Sequence, residues 1–169
     1  RPEGPRHPAM AELAGPVMLY VGRVAVEKNL EAFLATDAPG AKVIVGDGPA
    51  RAALSAKFPD ALWLGAQHGA ALASAYRAAD VFVFPSLTDT FGLVVIEAMA
   101  CGIPVAAYPV TGPRDIVTPA TGALDNDLSV AIAAALTKDC TTCAAYGATF
   151  SWRTSAEQFL SALAPLVPA

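Results

Sequence analysis

The sequence predicts an α/β fold: a Rossmann-like parallel sheet of about six strands with helices on both faces. Three observations carry this. Short apolar runs alternate with helix-period segments about five times along 169 residues, the pattern of repeated strand–helix crossovers. Most of those runs end at a glycine or proline, where a strand gives way to a loop. One of them, VFVFP over residues 81–85, is apolar at every position and so belongs to a strand covered on both faces.

The elements follow in order. Residues 1–16 are rich in Pro, Gly and charge and read as an exposed lead-in, a linker rather than a core element. PVMLYVG (16–22) is the first strand. EKNLEAFLAT follows as a helix with Leu30, Phe33 and Leu34 on one face, broken by Pro39-Gly40. AKVIVG is the second strand, and PARAALSAKF a helix with Pro49 at its start, where a missing N–H costs nothing. ALWLG, GAALASAYRAAD and VFVFP give a third strand, a third helix and a fourth strand. TFGLVVIEAMAC is a helix ended by Gly102 and Pro104, and PVAAY a fifth strand. TGPRDIV opens a short helix and TGAL (121–124) a short edge strand. DLSVAIAAALTKD is a helix with Leu128, Ile132, Ala135 and Leu136 on one face. SWRTSAEQFLSAL closes the chain as another, N-capped by Ser151.

Composition excludes several function classes. The chain is long enough for one domain with a full core. It is 54% hydrophobic, so little of it is expected to be disordered. The net charge of −4, with no long basic run, argues against a nucleic-acid partner. No apolar run approaches the ~18–20 residues of a membrane span, and RPEGPRHPAM lacks the apolar region of a signal peptide. Three cysteines cannot close a disulfide set, so reduced thiols in the cytoplasm are expected. Cys140 and Cys143 form a C-x-x-C, but Cys101, His7 and His68 lack the spacing to complete a zinc set. These cysteines read as structural, and neither a metal nor a cofactor is expected.

In a doubly wound sheet, ligands bind beyond the carboxyl ends of the strands, so the loops after the strands are the places to look. The first, GRVAVEKN, offers Arg23 and, five residues on, Lys28 near a helix start. Together they suit an anion such as a diphosphate, or they are surface cations in water. The second, VGDGPAR, lacks the third glycine of a dinucleotide fingerprint, and Pro49 removes an N–H. It reads as a tight turn, and NAD is not expected.

The loop after the fourth strand is the most informative. In PSLTDTFGLVVIE, Thr90 is a candidate cap, and Phe91, Gly92 and Leu93 fall in the first helical turn. Their amides face the crevice, and Gly92 permits close approach of a phosphate or sugar. Asp89 and Glu97 stand seven residues apart in an apolar stretch of a chain only 15% charged. Glu97, with apolar neighbours on both sides, is expected to be partly buried, where a lone carboxylate needs partners. A sugar or ribose diol would supply them; so would an arginine or the backbone, with Asp89 as a mere helix cap.

YVGRVAVEKNLEAFL, VIVGDGP, AYRAADVFVFPSLTDTFGLVVIEAMACGIPVAA and the later TG, in that order, resemble retaining glycosyltransferases of the GT-B fold. More closely they resemble family 4 of glycosyltransferases and its mannosyltransferase-like group. The resemblance runs from about Val17 to the C-terminal helix. It implies the C-terminal, donor-binding half of a two-domain enzyme. In that reading, residues 1–16 are the remnant of an interdomain linker and 17–150 bind the nucleotide sugar. The helix in 151–169 returns to an N-terminal acceptor domain that is missing.

The resemblance also implies roles. Arg23 and Lys28 would bind the donor diphosphate. Asp89 and Glu97 would be the family's E-x7-E pair, Glu97 on the ribose hydroxyls and Asp89 on the transferred sugar. Amides from Phe91 to Val94 would contact sugar and phosphate, with Gly22 and Thr90 beside them. The base would lie against backbone near Gly48, Leu64 and Gly65. The implied donor is GDP-mannose, with UDP-sugars open. The acceptor and the oligomeric state are not implied, and the isolated half is expected to transfer nothing. One departure stands out: the first carboxylate is Asp, not Glu, one methylene shorter in reach.

Two further classes remain to be discriminated. A GT-B-type nucleotide-sugar epimerase would turn over donor without an acceptor. A non-catalytic nucleotide-binding module would keep its function after Asp89→Ala or Glu97→Ala. His68 reads as a solvated residue at a helix start. Arg114 and Asp115 read as a mutual pair, and Trp63 and Trp152 as packing residues.

Overall fold

A computed structural model describes residues 4–89 and 92–163. Among them, six strands form one all-parallel sheet: β1 (Val17–Val21), β2 (Ala41–Val45), β3 (Leu62–Gly65), β4 (Val81–Phe84), β5 (Val105–Ala107) and β6 (Gly122–Leu124). Their spatial order is β3-β2-β1-β4-β5-β6. The helices are α1 (Leu30–Leu34), α2 (Arg51–Lys57), α3 (Gly69–Ala78), α4 (Leu93–Ala100), α5 (Pro113–Ile116), α6 (Leu128–Ala135), α7 (Cys140–Gly147) and α8 (Trp152–Ala162).

Strand parity sorts the core into two layers, because successive side chains point to opposite faces. Val17, Leu19 and Val21 of β1 and Phe82 and Phe84 of β4 face α3, α4 and α5. Met18 and Tyr20 of β1 and Val81 and Val83 of β4 face α1, α2 and α6. All five residues of β1 and all four of β4 are buried, so these central strands are covered on both sides.

The structure departs from the sequence reading in several elements. The first helix divides: a 3-10 turn over Val26–Lys28 passes through left-handed Asn29 (φ 52°) into the short α1. The lead-in is not all exposed. A 3-10 turn at Pro8–Met10 buries Met10 in the core, and the His7 amide donates to the Ser74 carbonyl at 3.0 Å. Helix α7 was not expected at all. Its eight residues bury little except Cys143 and Gly147, so they show no periodic apolar stripe. Gly147 is where it meets α4: a Cβ there would overlap the backbone at Met99 and Ala100. Trp152, read as a packing residue, is 84% exposed.

Candidate functional site

Strand order reverses between β1 and β4, the topological switch point of the sheet, and a crevice opens there above the carboxyl ends. One wall is the loop leaving β1. Buried Val24 anchors it, and the Val24 amide donates to the Asp47 carbonyl at 2.9 Å. From below, the Tyr20 hydroxyl donates to the Arg23 carbonyl at 2.9 Å. The same hydroxyl would lie 2.7 Å from a Cβ on Gly22, which is why glycine stands there. Burial first, then the charges of Asp89 and Glu27, push the Tyr20 phenol above its ordinary range, so it stays protonated and donates.

The other wall is the loop leaving β4. Asn29 ties the two walls together, its Nδ2 donating to the Pro85 carbonyl at 3.1 Å. Across the gap, Lys28 Nζ donates to Asp89 Oδ1 at 2.6 Å, each side chain 24% exposed. Arg23 sits at the rim, 66% exposed and 3.6 Å from Glu27. A pair so exposed contributes at most about 1 kcal/mol, and leaves the guanidinium available to an anion.

Helix α4 begins at this crevice. Gly92 is its N-cap in the left-handed conformation (φ 76°) and supplies no side-chain cap. The sequence reading had placed Gly92 within the first helical turn; its positive φ keeps it outside. The first amides of a helix have no intrahelical acceptor, so those of Leu93 and Val94 are available to a ligand. Thr90 and Phe91 lie outside the described residues.

These walls enclose a cavity of about 610 Å³, in the range of small-molecule sites. Gly22, Arg23 and Lys28 line one side, and Asp89, Gly92, Leu93 and Val94 the other. Seven of the sequence-selected residues thus converge. Glu97 does not line this cavity. It borders an adjoining pocket of about 270 Å³ that shares Leu93. Nor is Glu97 partly buried as expected: the residue is exposed. Helix α4 turns Val95, Ala98 and Met99 to the core, and position 97 falls off that face. One oxygen nonetheless reaches inward, where Oε2 accepts from the Tyr76 hydroxyl at 2.9 Å.

Gly48, Leu64 and Gly65 also lie outside the cavity lining. They sit at the neighbouring ends of β2 and β3, where the Gly46 amide donates to the Gly65 carbonyl at 2.8 Å. VGDGPAR is the tight turn expected: the Gly48 amide donates to Asp47 Oδ1 at 2.7 Å and the Arg51 amide to the Gly48 carbonyl at 3.1 Å. His68 is exposed at the N-cap of α3. Arg114 donates to the Pro109 carbonyl. Tyr20, Asn29 and Tyr76 were missed by the sequence reading. The phenols carried a weak signal, since a buried tyrosine hydroxyl needs a partner. Asn29 carried none.

Fold and crevice together define a doubly wound α/β domain with an anion-suited cleft at its switch point. Residues 15–140 match the family described as glycosyl transferases group 1, and the chain belongs to that family. It is 46% identical over 106 residues to a GDP-mannose-dependent alpha-mannosyltransferase of Mycobacterium tuberculosis (strain CDC 1551 / Oshkosh), covering 62% of this chain and 28% of the relative. It is 41% identical over 107 residues to Sulfoquinovosyl transferase SQD2 of Arabidopsis thaliana, covering 60% and 21%. Among solved structures, Sucrose-phosphate synthase of Thermosynechococcus elongatus matches with TM-score 0.72 at 29% identity, over 88% of this chain and 44% of that one. A lipopolysaccharide outer core galactosyltransferase shares the fold with TM-score 0.70 at 21% identity, over 94% and 52%. The chain is a GT-B glycosyltransferase domain. It spans about a quarter of the curated relatives it matches and about half of the solved chains.

Proposed function

We propose that this chain is the donor-binding half of a retaining glycosyltransferase. The enzyme would move a sugar, mannose from GDP-mannose in the first instance, to an acceptor hydroxyl. The observation that carries this is the convergence of Arg23, Lys28, Asp89 and the N-terminus of α4 on one cavity at the switch point. A diphosphate meets positive charge from three directions there: a guanidinium, an ammonium and the free amides of Leu93 and Val94. In the reaction that charge grows as the sugar–phosphate bond breaks, and preorganised donors stabilise it without reorganising.

Asp89 contributes in two ways. It holds the Lys28 ammonium, which has three N–H donors and can keep Asp89 while turning the others to phosphate. Its second oxygen would be left to the transferred sugar. Glu97, one turn into α4, would accept the ribose hydroxyls, and the base would rest near Gly48, Leu64 and Gly65. No metal is required in this scheme, because Arg23, Lys28 and the helix terminus supply the positive charge. The acceptor groups would stand on an N-terminal half facing the crevice, so this chain alone would bind donor and transfer nothing. Cytoplasmic location fits the three free cysteines. Among the described residues no single helix is long and apolar enough to cross a membrane.

Calorimetric titration of this chain with GDP, UDP and ADP tests the proposal. Binding of GDP above the other two, weakened in Lys28→Ala, is the expected result. Equal binding of all three would overturn the GDP assignment, and absence of binding would overturn the donor-site reading.

A further inference from the structure

Tyr76 lies near the end of α3 and is 2% exposed. Its ring packs against Phe82 of β4, with centroids 6.1 Å apart. A buried ring has little freedom, so the position of its hydroxyl is fixed by the core. That hydroxyl donates to Glu97 Oε2 at 2.9 Å. Glu97 itself is exposed, on a different helix. The contact therefore joins a rigid buried donor to a solvent-facing carboxylate. An exposed glutamate otherwise samples many rotamers, and each ligand it binds must freeze them.

The geometry points to Tyr76 as a positioning residue for the donor: it holds Glu97 in the orientation that accepts both ribose hydroxyls, and so sets the preference for a ribonucleotide. This rests on the assignment of Glu97 to the ribose proposed above. An ionised carboxylate has about four lone-pair sites on two oxygens. Tyr76 takes one of those on Oε2, leaving Oε1 whole. Two adjacent hydroxyls can then share one carboxylate that is already oriented. Burial, together with the Glu97 charge and the hydrogen bond itself, holds the phenol above its ordinary range, so it remains a donor throughout the working pH range.

The test is the ratio of Kd values for 2′,3′-dideoxy-GDP and GDP, measured calorimetrically on this chain. The wild type should favour GDP by roughly tenfold or more, the worth of hydrogen bonds to a charged group. Glu97→Ala should bring the ratio close to one. Tyr76→Phe keeps the ring and removes only the hydroxyl; it should lower the ratio by roughly three- to tenfold while hardly changing the affinity for the dideoxy nucleotide. Adding Tyr76→Phe to Glu97→Ala should change nothing further. A merely structural tyrosine would weaken both nucleotides alike, and a wild-type ratio in Tyr76→Phe overturns the positioning role. A wild-type ratio in Glu97→Ala instead overturns the ribose reading beneath it. Should Tyr76→Phe fail to fold, Glu97→Asp withdraws the carboxylate from the phenol by one methylene at constant charge. An unchanged ratio in that variant also overturns the proposal.

Discussion

Lys28 and Asp89 stand 61 positions apart in the chain and 2.6 Å apart in space. Removing either has opposite consequences for a bound diphosphate. Lys28→Ala deletes a cation and leaves the Asp89 carboxylate facing the same space. We expect GDP affinity to fall by about tenfold to a hundredfold, the worth of one charge-assisted contact. Asp89→Asn keeps the shape and removes the competing negative charge. Free GDP should then bind as tightly as to wild type, or a few-fold more tightly. Sugar transfer by a longer protein carrying this domain should fall, because the group proposed to meet the sugar has lost its charge. Calorimetry and a transfer assay read the two arms separately. Equal loss of GDP binding in both variants would show that Asp89 serves only to orient Lys28.

At the scale of elements, the ends of helices show where charge acts on stability. Asp139 caps α7, with Oδ2 accepting from the Thr142 amide at 2.6 Å and from its hydroxyl at 2.8 Å. Those two hydrogen bonds hold its carboxyl below the ordinary value of 3.8. A depressed folded-state pKa stabilises above the unfolded value and loses that contribution as pH falls through the folded one. Asp139→Asn should therefore lower the melting midpoint at neutral pH, and the gap from wild type should close in acid, below the carboxylate range. A gap that stays constant from pH 7 to pH 3 would contradict this. Helix α7 was also the element least legible in the sequence. CTTCAAYG carries no apolar stripe, and the helix is held by an N-cap and by the close approach of Gly147 to α4. The strands were legible because all-apolar runs such as VMLYV and VFVF have few other uses. The crevice was legible as loops, since strand ends locate it. Its supports were not: Tyr20, Asn29 and Tyr76 act through partners 3 to 56 positions away, and spacing carries no trace of such contacts. The exposure of Glu97 was misread for a related reason. Local composition was apolar, but helical phase, not composition, decides which face a residue takes. Steric demands are a further consequence at this scale. A Cβ on Gly46 would overlap the Gly22 carbonyl oxygen. Gly46→Ala should cost about 1–3 kcal/mol in denaturant unfolding, as overpacked sites do.

Across the whole molecule, one helix is unlike the others. Every described residue of α8 is exposed, including Trp152 at 84%, Phe159 at 66% and Leu160 at 64%. An exposed apolar patch of this kind marks a surface that another body covers. In the function proposed above, that body would be the acceptor half. Two outcomes follow. A chain ending at Ser151 should melt within about 2 °C of the longer one, because no described residue of α8 is buried. Its GDP affinity should change little, since α8 supplies nothing to the cavity at the switch point and only Trp152 and Ser155 to the pocket beside Glu97. In a protein carrying both halves, Trp152 should pass from freely quenched by acrylamide to protected. Trp63→Phe isolates that signal, because Trp63 is a half-buried residue of β3 with its indole N–H donating to the Phe58 carbonyl at 3.4 Å. Equal quenching of Trp152 in the two-domain protein and in this chain would show that α8 packs on neither half. A sharp fall in melting point on removing α8 would show instead that the helix belongs to the core of this domain.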